Sequence, residues 1–385
     1  MNIPSDSDLS RLVRFEQLAA TDPRNTALLA DAFDIALRAR AFDFAERFLE
    51  RERAVDATSP GLLFREARWH LAKGEHGEAR ALFETVRART GPQSGVDTHL
   101  AAACAAQGDH ARCVALLQPY AAQRSLPPGA WSLLIRALHH ERQFDTALAL
   151  VREQHDAFAG DAASLGAASL LCLDADDLRL AAALAARALE LEPQQCEALI
   201  VSGFAVLNDS DGARACALFE AAVQVRATEP RAWSGLGFAR LLGGESAGAT
   251  QAFEASLKLS GDHVGTWHGL AWSRLAMNDH KGAEAAFEAA LQRDRNFAET
   301  HGGLALTAYA QGRRDAAEQA VARALRLDRR SPTARYVQAL MSGTRLDGNS
   351  RVTVEHILEG VRQRNAALPA KALFALARRG EKLDS

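Results

Sequence analysis

Hydrophobic and small residues recur along this chain with a period of 34 residues. The segment WSGLGFARLLGGESAGATQAFEASLKLSGD opens at Trp233, and WHGLAWSRLAMNDHKGAEAAFEAALQRDRN opens at Trp267 with the same pattern. In a register with position 1 at Pro230, nine units follow one another without a gap and begin at residues 26, 60, 94, 128, 162, 196, 230, 264 and 298. Position 20 is alanine in eight units and Cys113 in the third. A repeat of this length indicates an array of similar structural units.

Two amphipathic helices account for the spacing within each unit. Positions 4, 7, 8 and 11 share one face of a first helix, here named helix A, and positions 20, 24 and 27 share one face of a second, helix B. Small residues at positions 8 and 20 allow close packing, and glycine or asparagine near position 15 permits the turn between the helices. Because neither helix can bury its apolar face alone, the units must stack, which predicts an all-α fold of the α-solenoid type.

The pattern of small residues at positions 8 and 20 with tryptophan or leucine at position 4 resembles the tetratricopeptide repeat family. The resemblance covers residues 26–331. It implies a right-handed superhelix of antiparallel helix pairs, and it implies a scaffold that binds other proteins. It is specific for the fold and nearly silent on the partner.

The two ends of the chain fit the same register. Residues 7–21 are predicted to form a lone helix B that caps the N-terminus, and PTARYVQALMSG from Pro332 resembles one more helix A. TVEHILEGVRQRN and LPAKALFALARRG predict two further helices. We therefore expect an N-terminal capping helix in residues 1–25, nine repeats in 26–331, and a degenerate repeat with C-terminal capping helices in 332–385.

Composition narrows the class of protein. The 385 residues are 48% hydrophobic but only 6% aromatic, which suits closely packed helices, and the net charge of −3 gives no general attraction to nucleic acid or anionic lipid. Five cysteines without a CxxC pair argue against a disulfide framework and a zinc knuckle. No apolar run reaches the length of a membrane span or a signal peptide. We expect a soluble cytoplasmic protein, and the Arg-, Ala- and Gly-rich composition is typical of a GC-rich bacterium.

Sequence motifs for catalysis are weak in this chain. Gly235, Gly237 and Gly243 resemble a phosphate loop only faintly, because no strand precedes them and Gly237 is the small residue of position 8. The acidic run Asp174–Asp177 fits a turn and a helix cap. The histidines are scattered and form no HExxH motif. We predict that the protein is not an enzyme and has no catalytic residue, cofactor or metal site.

The helix A positions that remain after the core is assigned suggest a binding surface. In the resembled family, positions 2, 5, 6, 9, 12 and 13 line the concave side. From the fifth unit onward, positions 9 and 12 are large and apolar, while several residues at positions 5 and 6 are small. This arrangement predicts an exposed apolar groove for an amphipathic helix or an apolar peptide. Its predicted residues are Leu170, Phe204, Phe238, Trp272, Leu306, Tyr309, His268 and Ile200.

A second, polar wall lies in the first four units. It contains Arg65, Arg68, Arg136 and His139. A solvated helix surface is one interpretation of this wall, and recognition of an acidic segment of the same partner is the other.

Three functions fit these patterns in decreasing order. The first is an adaptor, for example a co-chaperone or a regulator, that holds a protein or peptide in the apolar groove. The second is a structural oligomer, such as a homodimer, that uses the same groove for self-association. The third, nucleic-acid binding, is disfavoured by the charge and by the apolar concave side. Burial of the groove by neighbouring helices or by the protein's own terminal helices is the alternative to an open site.

Overall fold

The computed structural model describes residues 6–209 and 211–342, and within these ranges all regular structure is helical. The chain divides into two compact units, Met1–Leu171 and Cys172–Ser385, which we name the N-terminal and C-terminal units. The division falls inside the helix A of the fifth repeat, so it cuts through the region expected to form one continuous array. Within each unit, successive helices pack in chain order. The predicted all-α solenoid fold is confirmed.

The N-terminal unit starts with a capping helix and continues with helix pairs. Two short 3-10 turns, Pro128–Ala130 and His155–Phe158, interrupt it. Its helices are α1 (Asp6–Thr21), α2 (Thr26–Arg38), α3 (Phe42–Val55), α4 (Pro60–Lys73), α5 (His76–Thr90), α6 (Ser94–Ala106), α7 (His110–Ala122), α8 (Trp131–His140), α9 (Phe144–Gln154) and α10 (Ala162–Asp174), whose last three residues belong to the C-terminal unit.

The C-terminal unit continues the alternation of helices B and A. Its further helices are α11 (Leu178–Leu191), α12 (Cys196–Asn208), α13 (Gly212–Val225), α14 (Pro230–Leu242), α15 (Ser246–Leu259), α16 (Val264–Ala276), α17 (His280–Arg293), α18 (Ala298–Ala310), α19 (Arg314–Leu327) and α20 (Pro332–Ser342). Here α12, α14, α16, α18 and α20 are helices A. None of the helices in the described part of the chain is long and apolar enough to cross a membrane.

The helix boundaries agree with the 34-residue register. Helix A starts at position 1 in eight of the nine repeats, and in the fourth the 3-10 turn Pro128–Ala130 takes that place. The predicted N-terminal cap, residues 7–21, corresponds to α1, and the extra helix A at Pro332 is α20. The two helices predicted beyond it lie outside the described residues.

The turn between helices A and B requires a left-handed backbone at position 15. Gly74, Gly108, Gly244 and Gly312 have positive φ there, and so does Asn278 with φ 60°. Non-glycine residues also adopt it, as the equivalent Arg40, Arg142 and Asp176 show. Helix B then often begins with an aspartate cap, for example Asp279, whose side chain accepts a hydrogen bond from the Gly282 amide.

The core of each unit follows the predicted positions. The position-20 residues, from Ala45 in the first repeat to Ala317 in the ninth, are all buried. Large rings at position 24, such as Phe83 and Phe219, are buried beside them. Small residues therefore bring the two helices together, and the rings fill the space on either side.

Candidate partner-binding surface

A phenylalanine of helix B lies between two successive helices A in the C-terminal unit. The Phe219 ring of α13 packs on Gly203 of α12 and on Gly235 of α14. A Cβ atom added to Gly203 would lie 2.7 Å from the ring, and one added to Gly235 would overlap it. The two glycines therefore form a notch that only this ring fills.

The same notch recurs in the next two repeats. Phe253 of α15 packs between Gly237 of α14 and Gly269 of α16, and Phe287 of α17 packs against Gly303 of α18. Small residues at position 6 were expected to form the floor of an open groove. That expectation is wrong for Gly235, Gly269 and Gly303, because a ring from the preceding helix B occupies the space above each of them.

These contacts define the opposite side of helices A. Each residue advances about 100° around a helix, so positions 6 and 8, which face helices B, leave positions 2, 5, 9 and 12 on the far side. We name this side of α12, α14, α16 and α18 the helix-A face. It is the surface on which the sequence predicted a groove.

Phe238 and Trp272 at position 9 are buried, with 4% and 2% of their surface exposed. The Phe238 ring packs against Phe253, with ring centroids 4.9 Å apart at an angle of 76°, and Trp272 packs against Phe287 at 5.9 Å and 89°. The expectation that these two side chains line an open groove is therefore wrong. The position-24 ring reaches between the helices A and packs against the side chain at position 9.

Three more of the predicted groove residues are also buried, which corrects the sequence prediction again. Leu306 lies in the core of the ninth repeat, and Ile200 and His268 at position 5 pack between neighbouring helices A. Position 5 is therefore part of the contact between successive repeats in this unit.

Three predicted groove residues do reach the surface. Phe204 of α12 is half-buried, although its ring packs against Phe219 at 5.0 Å, and Tyr309 at the end of α18 is exposed. Leu170 is half-buried and belongs to the N-terminal unit. On the helix-A face of the C-terminal unit, Phe204 is thus the accessible aromatic residue of position 9.

Hydrogen bonds between side chains join adjacent helices A. The Thr266 hydroxyl donates to Ser234 Oγ at 3.2 Å, and His268 Nε2 lies 2.8 Å from Thr300 Oγ1. In both cases position 5 of one repeat meets position 3 of the next. The sequence gave no signal for this ladder, because isolated Ser, Thr and His residues on a helix do not show which neighbour they contact.

His268 is held in its neutral form by its surroundings. The Phe287 and Phe297 rings lie 5.3 Å and 5.0 Å from the imidazole, and burial lowers the pKa of His268 to about 3. Within the described ranges, its Nδ1 atom and the Nε1 atom of Trp272 one turn later are buried without a hydrogen-bond partner. Two polar atoms of α16 are therefore available to a group that displaces whatever shields them.

Glu299 adds a carboxyl group at position 2 of the next helix A, α18. It is 5% exposed, and burial raises the pKa of its carboxyl above the ordinary value, opposed by nearby hydroxyls. The helix-A face at α16 and α18 thus combines large apolar side chains with a few polar groups. That combination is typical of ligand-binding surfaces in proteins.

The polar wall of the N-terminal unit is largely neutralised by its own acidic neighbours. Arg65 Nε donates to Glu52 at 2.8 Å, and Arg68 Nη1 donates to Asp34 at 2.6 Å. Arg136 and His139 are half-buried, and the His139 ring packs against Phe144. Arg65 and Arg68 are therefore not a free basic surface for an acidic partner.

An ion pair that the sequence did not reveal spans two repeats of the C-terminal unit. Both guanidinium Nη atoms of Arg231 in α14 donate to the two carboxylate oxygens of Asp174, at 3.0 Å and 2.7 Å. Local spacing could not show this contact, because the residues are 57 positions apart. Asp177 in the same acidic run caps α11, as predicted.

The described residues give little support for a reactive side chain or a metal centre. No group of three or more His, Cys, Asp or Glu side chains among them is arranged to hold a metal ion. Burial raises the pKa of Cys113 to about 12 and that of Cys216 to about 11, so both are thiols near neutral pH.

Comparisons with known proteins point to the same repeat. The tetratricopeptide repeat family model matches residues 274–341. No curated protein matches the chain. Among solved structures, YrrB, described as a TPR protein with an unusual peptide-binding site, is 17% identical over 51% of this chain and 97% of its own, with a TM-score of 0.40. PilF of Pseudomonas aeruginosa is 18% identical over 55% and 97%, with a TM-score of 0.46. MamA is 20% identical over 41% and 92%, with a TM-score of 0.37.

Proposed function

Because the chain is a tetratricopeptide-repeat protein, we propose that it is an interaction scaffold that binds a protein or peptide partner and performs no chemistry of its own. The proposed binding site is the helix-A face of α12, α14, α16 and α18. A stacked array of helices presents such a face as an extended surface, which is how repeat proteins hold other chains.

The observation that supports this site is the apolar character of position 9 in consecutive repeats. Phe204, Phe238, Trp272 and Leu306 follow one another at intervals of 34 residues. A solvated helix surface normally carries polar side chains at such positions. A row of large apolar side chains matches the apolar stripe of an amphipathic helix, which we propose as the bound form of the partner.

Phe204 provides the sharpest test, because it is half-buried and its replacement leaves the deeper core intact. We expect a library of helical peptides, selected on the wild-type protein, to yield amphipathic sequences whose binding Phe204→Ser weakens at least tenfold. The matched control is Val225→Ser on α13, a helix B residue that is 43% exposed. Circular dichroism of both variants verifies that each is folded.

Two results contradict the proposal. One is a selected peptide that binds Phe204→Ser as tightly as it binds the wild type. The other is a peptide whose binding is lost only in the Val225→Ser variant, since that locates the site on helices B. If light scattering shows a dimer that Phe204→Ser dissociates, the apolar row serves self-association instead.

A further inference from the structure

Helices A of the C-terminal unit are buried on almost all sides, whereas helices B are buried on one. Nine of the 13 residues of α14 are buried, against four of the 14 residues of α15. The helices A α16 and α18 also bury nine of 13 residues each. A helix in the inner layer of a two-layer array should keep its outward-facing stripe in solvent.

The described helices cover three sides of α14. Its principal neighbours between residues 172 and 342 are α13 and α15 on the helix B side and α12 and α16 on either flank. The helix-A face is the fourth side. Leu241 and Leu275 at position 12, with Trp272, lie on that side and are only 2–4% exposed. Something beyond these neighbouring helices therefore shields the face from water.

Residues 343–385 have a suitable composition to provide this cover. In PAKALFALARR, which starts at Pro369, the spacing of Ala370, Leu373, Phe374 and Ala377 predicts an amphipathic helix with one apolar stripe. The 43 residues contain eight Lys and Arg against five Asp and Glu, a net charge of +3, while residues 1–342 contain 37 against 43, a net charge of −6. The segment thus combines an apolar stripe with a charge opposite to that of the repeats.

The point of attachment also favours this segment. Residue 343 follows α20, which packs on α18 and α19 at the end of the C-terminal unit. Adjacent packed helices are separated by about 10 Å, so α14 lies about 30 Å from α20 along the row of helices A. The 26 residues between Ser342 and Pro369 span that distance easily, since an extended chain covers about 3.3 Å per residue.

We propose that residues 369–379 bind the helix-A face of α12, α14 and α16 as its resting occupant, so that a partner must displace them. This inference rests on the proposed function, because it assigns the same face to the chain's own helix when no partner is bound. A tether of this kind gives an effective concentration of about 1 mM, so a segment with micromolar affinity would weaken a competing peptide by about 1,000-fold.

The test compares three forms of the full chain: wild type, Phe374→Asp, and the matched control Leu346→Asp in the same segment but outside the proposed helix. The probe is a fluorescein-labelled peptide of residues 366–382, and its binding is measured by fluorescence anisotropy. We expect Phe374→Asp to bind the peptide at least tenfold more tightly than the wild type or the control does. Adding Phe204→Ser to Phe374→Asp should weaken that binding again.

A photo-crosslinking amino acid at position 374 of the full chain locates the contact. We expect crosslinks within one molecule to α12, α14 or α16, in a yield that does not change with protein concentration. Crosslinks that form only between molecules, or that map to helices B, overturn the proposal.

The outcomes separate this inference from the proposed function. If the labelled peptide binds no form of the protein, while a library-selected helix binds wild type and Phe374→Asp equally, the segment is not the occupant and the scaffold function stands. If neither peptide binds any form, both proposals fail.

Discussion

The Phe238 ring meets the Phe253 ring in a T-shaped contact, with ring centroids 4.9 Å apart and planes at 76°. The contact joins position 9 of a helix A to position 24 of the helix B in the same repeat. It recurs in the flanking repeats between Phe204 and Phe219 and between Trp272 and Phe287. The aromatic residues that mark the helix-A face are therefore anchored from below by rings of the helix B layer, so the face is apolar and also rigid.

The glycine notch around the position-24 ring should tolerate no side chain. An alanine Cβ at position 235 would overlap the Phe219 ring, so we expect Gly235→Ala to lower the free energy of unfolding by about 1–3 kcal/mol. Gly243→Ala is the matched control in the same repeat, because its Cβ would lie 3.5 Å from the nearest atom and its φ is −75°. Urea denaturation measures both, and equal losses in the two variants would refute the notch.

Much of the fold could be predicted because each repeat repeats its own constraints. Alanine at position 20 and small residues at position 8 fixed the register, and the register gave the start of helix A in eight of nine repeats. The turn was predicted from glycine and asparagine at position 15. Arg40 and Asp176 have the same left-handed backbone there, so the geometry is a property of the position rather than of the residue type.

The binding surface was harder to predict, because its exposure depends on contacts between repeats. Gly237 and Phe253 are 16 residues apart, and the sequence does not show that the ring fills the gap left by the glycine. Small residues beside Phe238 therefore suggested a groove, where the structure has a filled notch. The bond from His268 to Thr300 likewise joins residues 32 positions apart, beyond the reach of helical spacing.

Phe204 and Phe238 occupy equivalent positions but should respond differently to substitution. Phe238 is 4% exposed, so we expect Phe238→Ser to lower the free energy of unfolding by about 3–5 kcal/mol. Phe204 is half-buried, and Phe204→Ser should cost about half as much. Urea denaturation of the two variants compares these losses. A larger loss for Phe204→Ser would mean that the burial of position 9 is assigned in the wrong order.

The neutral His268 predicts a pH-dependent contribution to stability. Its pKa is about 3 in the folded protein and about 6.5 when unfolded, so between these values only the unfolded chain binds the proton. Stability is therefore lost as the pH falls below 6.5, by about 2 kcal/mol between pH 7 and pH 5.

His268→Gln removes this term and keeps a donor for Thr300. Urea denaturation at pH 7 and pH 5 should show that the difference in stability between wild type and His268→Gln shrinks by about 2 kcal/mol at the lower pH. The other titrating groups, including Glu299, are common to both proteins and cancel. A difference that stays constant across this range would mean that His268 is accessible to protons.

The buried carboxylate of Asp97 in the N-terminal unit should depend on its arginine partner. Arg87 Nε donates to Asp97 Oδ1 at 2.6 Å, the Tyr120 hydroxyl donates to Oδ2 at 2.8 Å, and the Asp97 side chain is only 2% exposed. Arg87→Ala leaves that charge without its counter-ion, so we expect a loss of about 3 kcal/mol in urea denaturation. The control is Arg187→Ala, whose pair with Glu190 is more than half exposed on both sides, and it should cost under about 0.5 kcal/mol. Similar losses would show that water reaches Asp97, because only desolvation makes the first pair the stronger one.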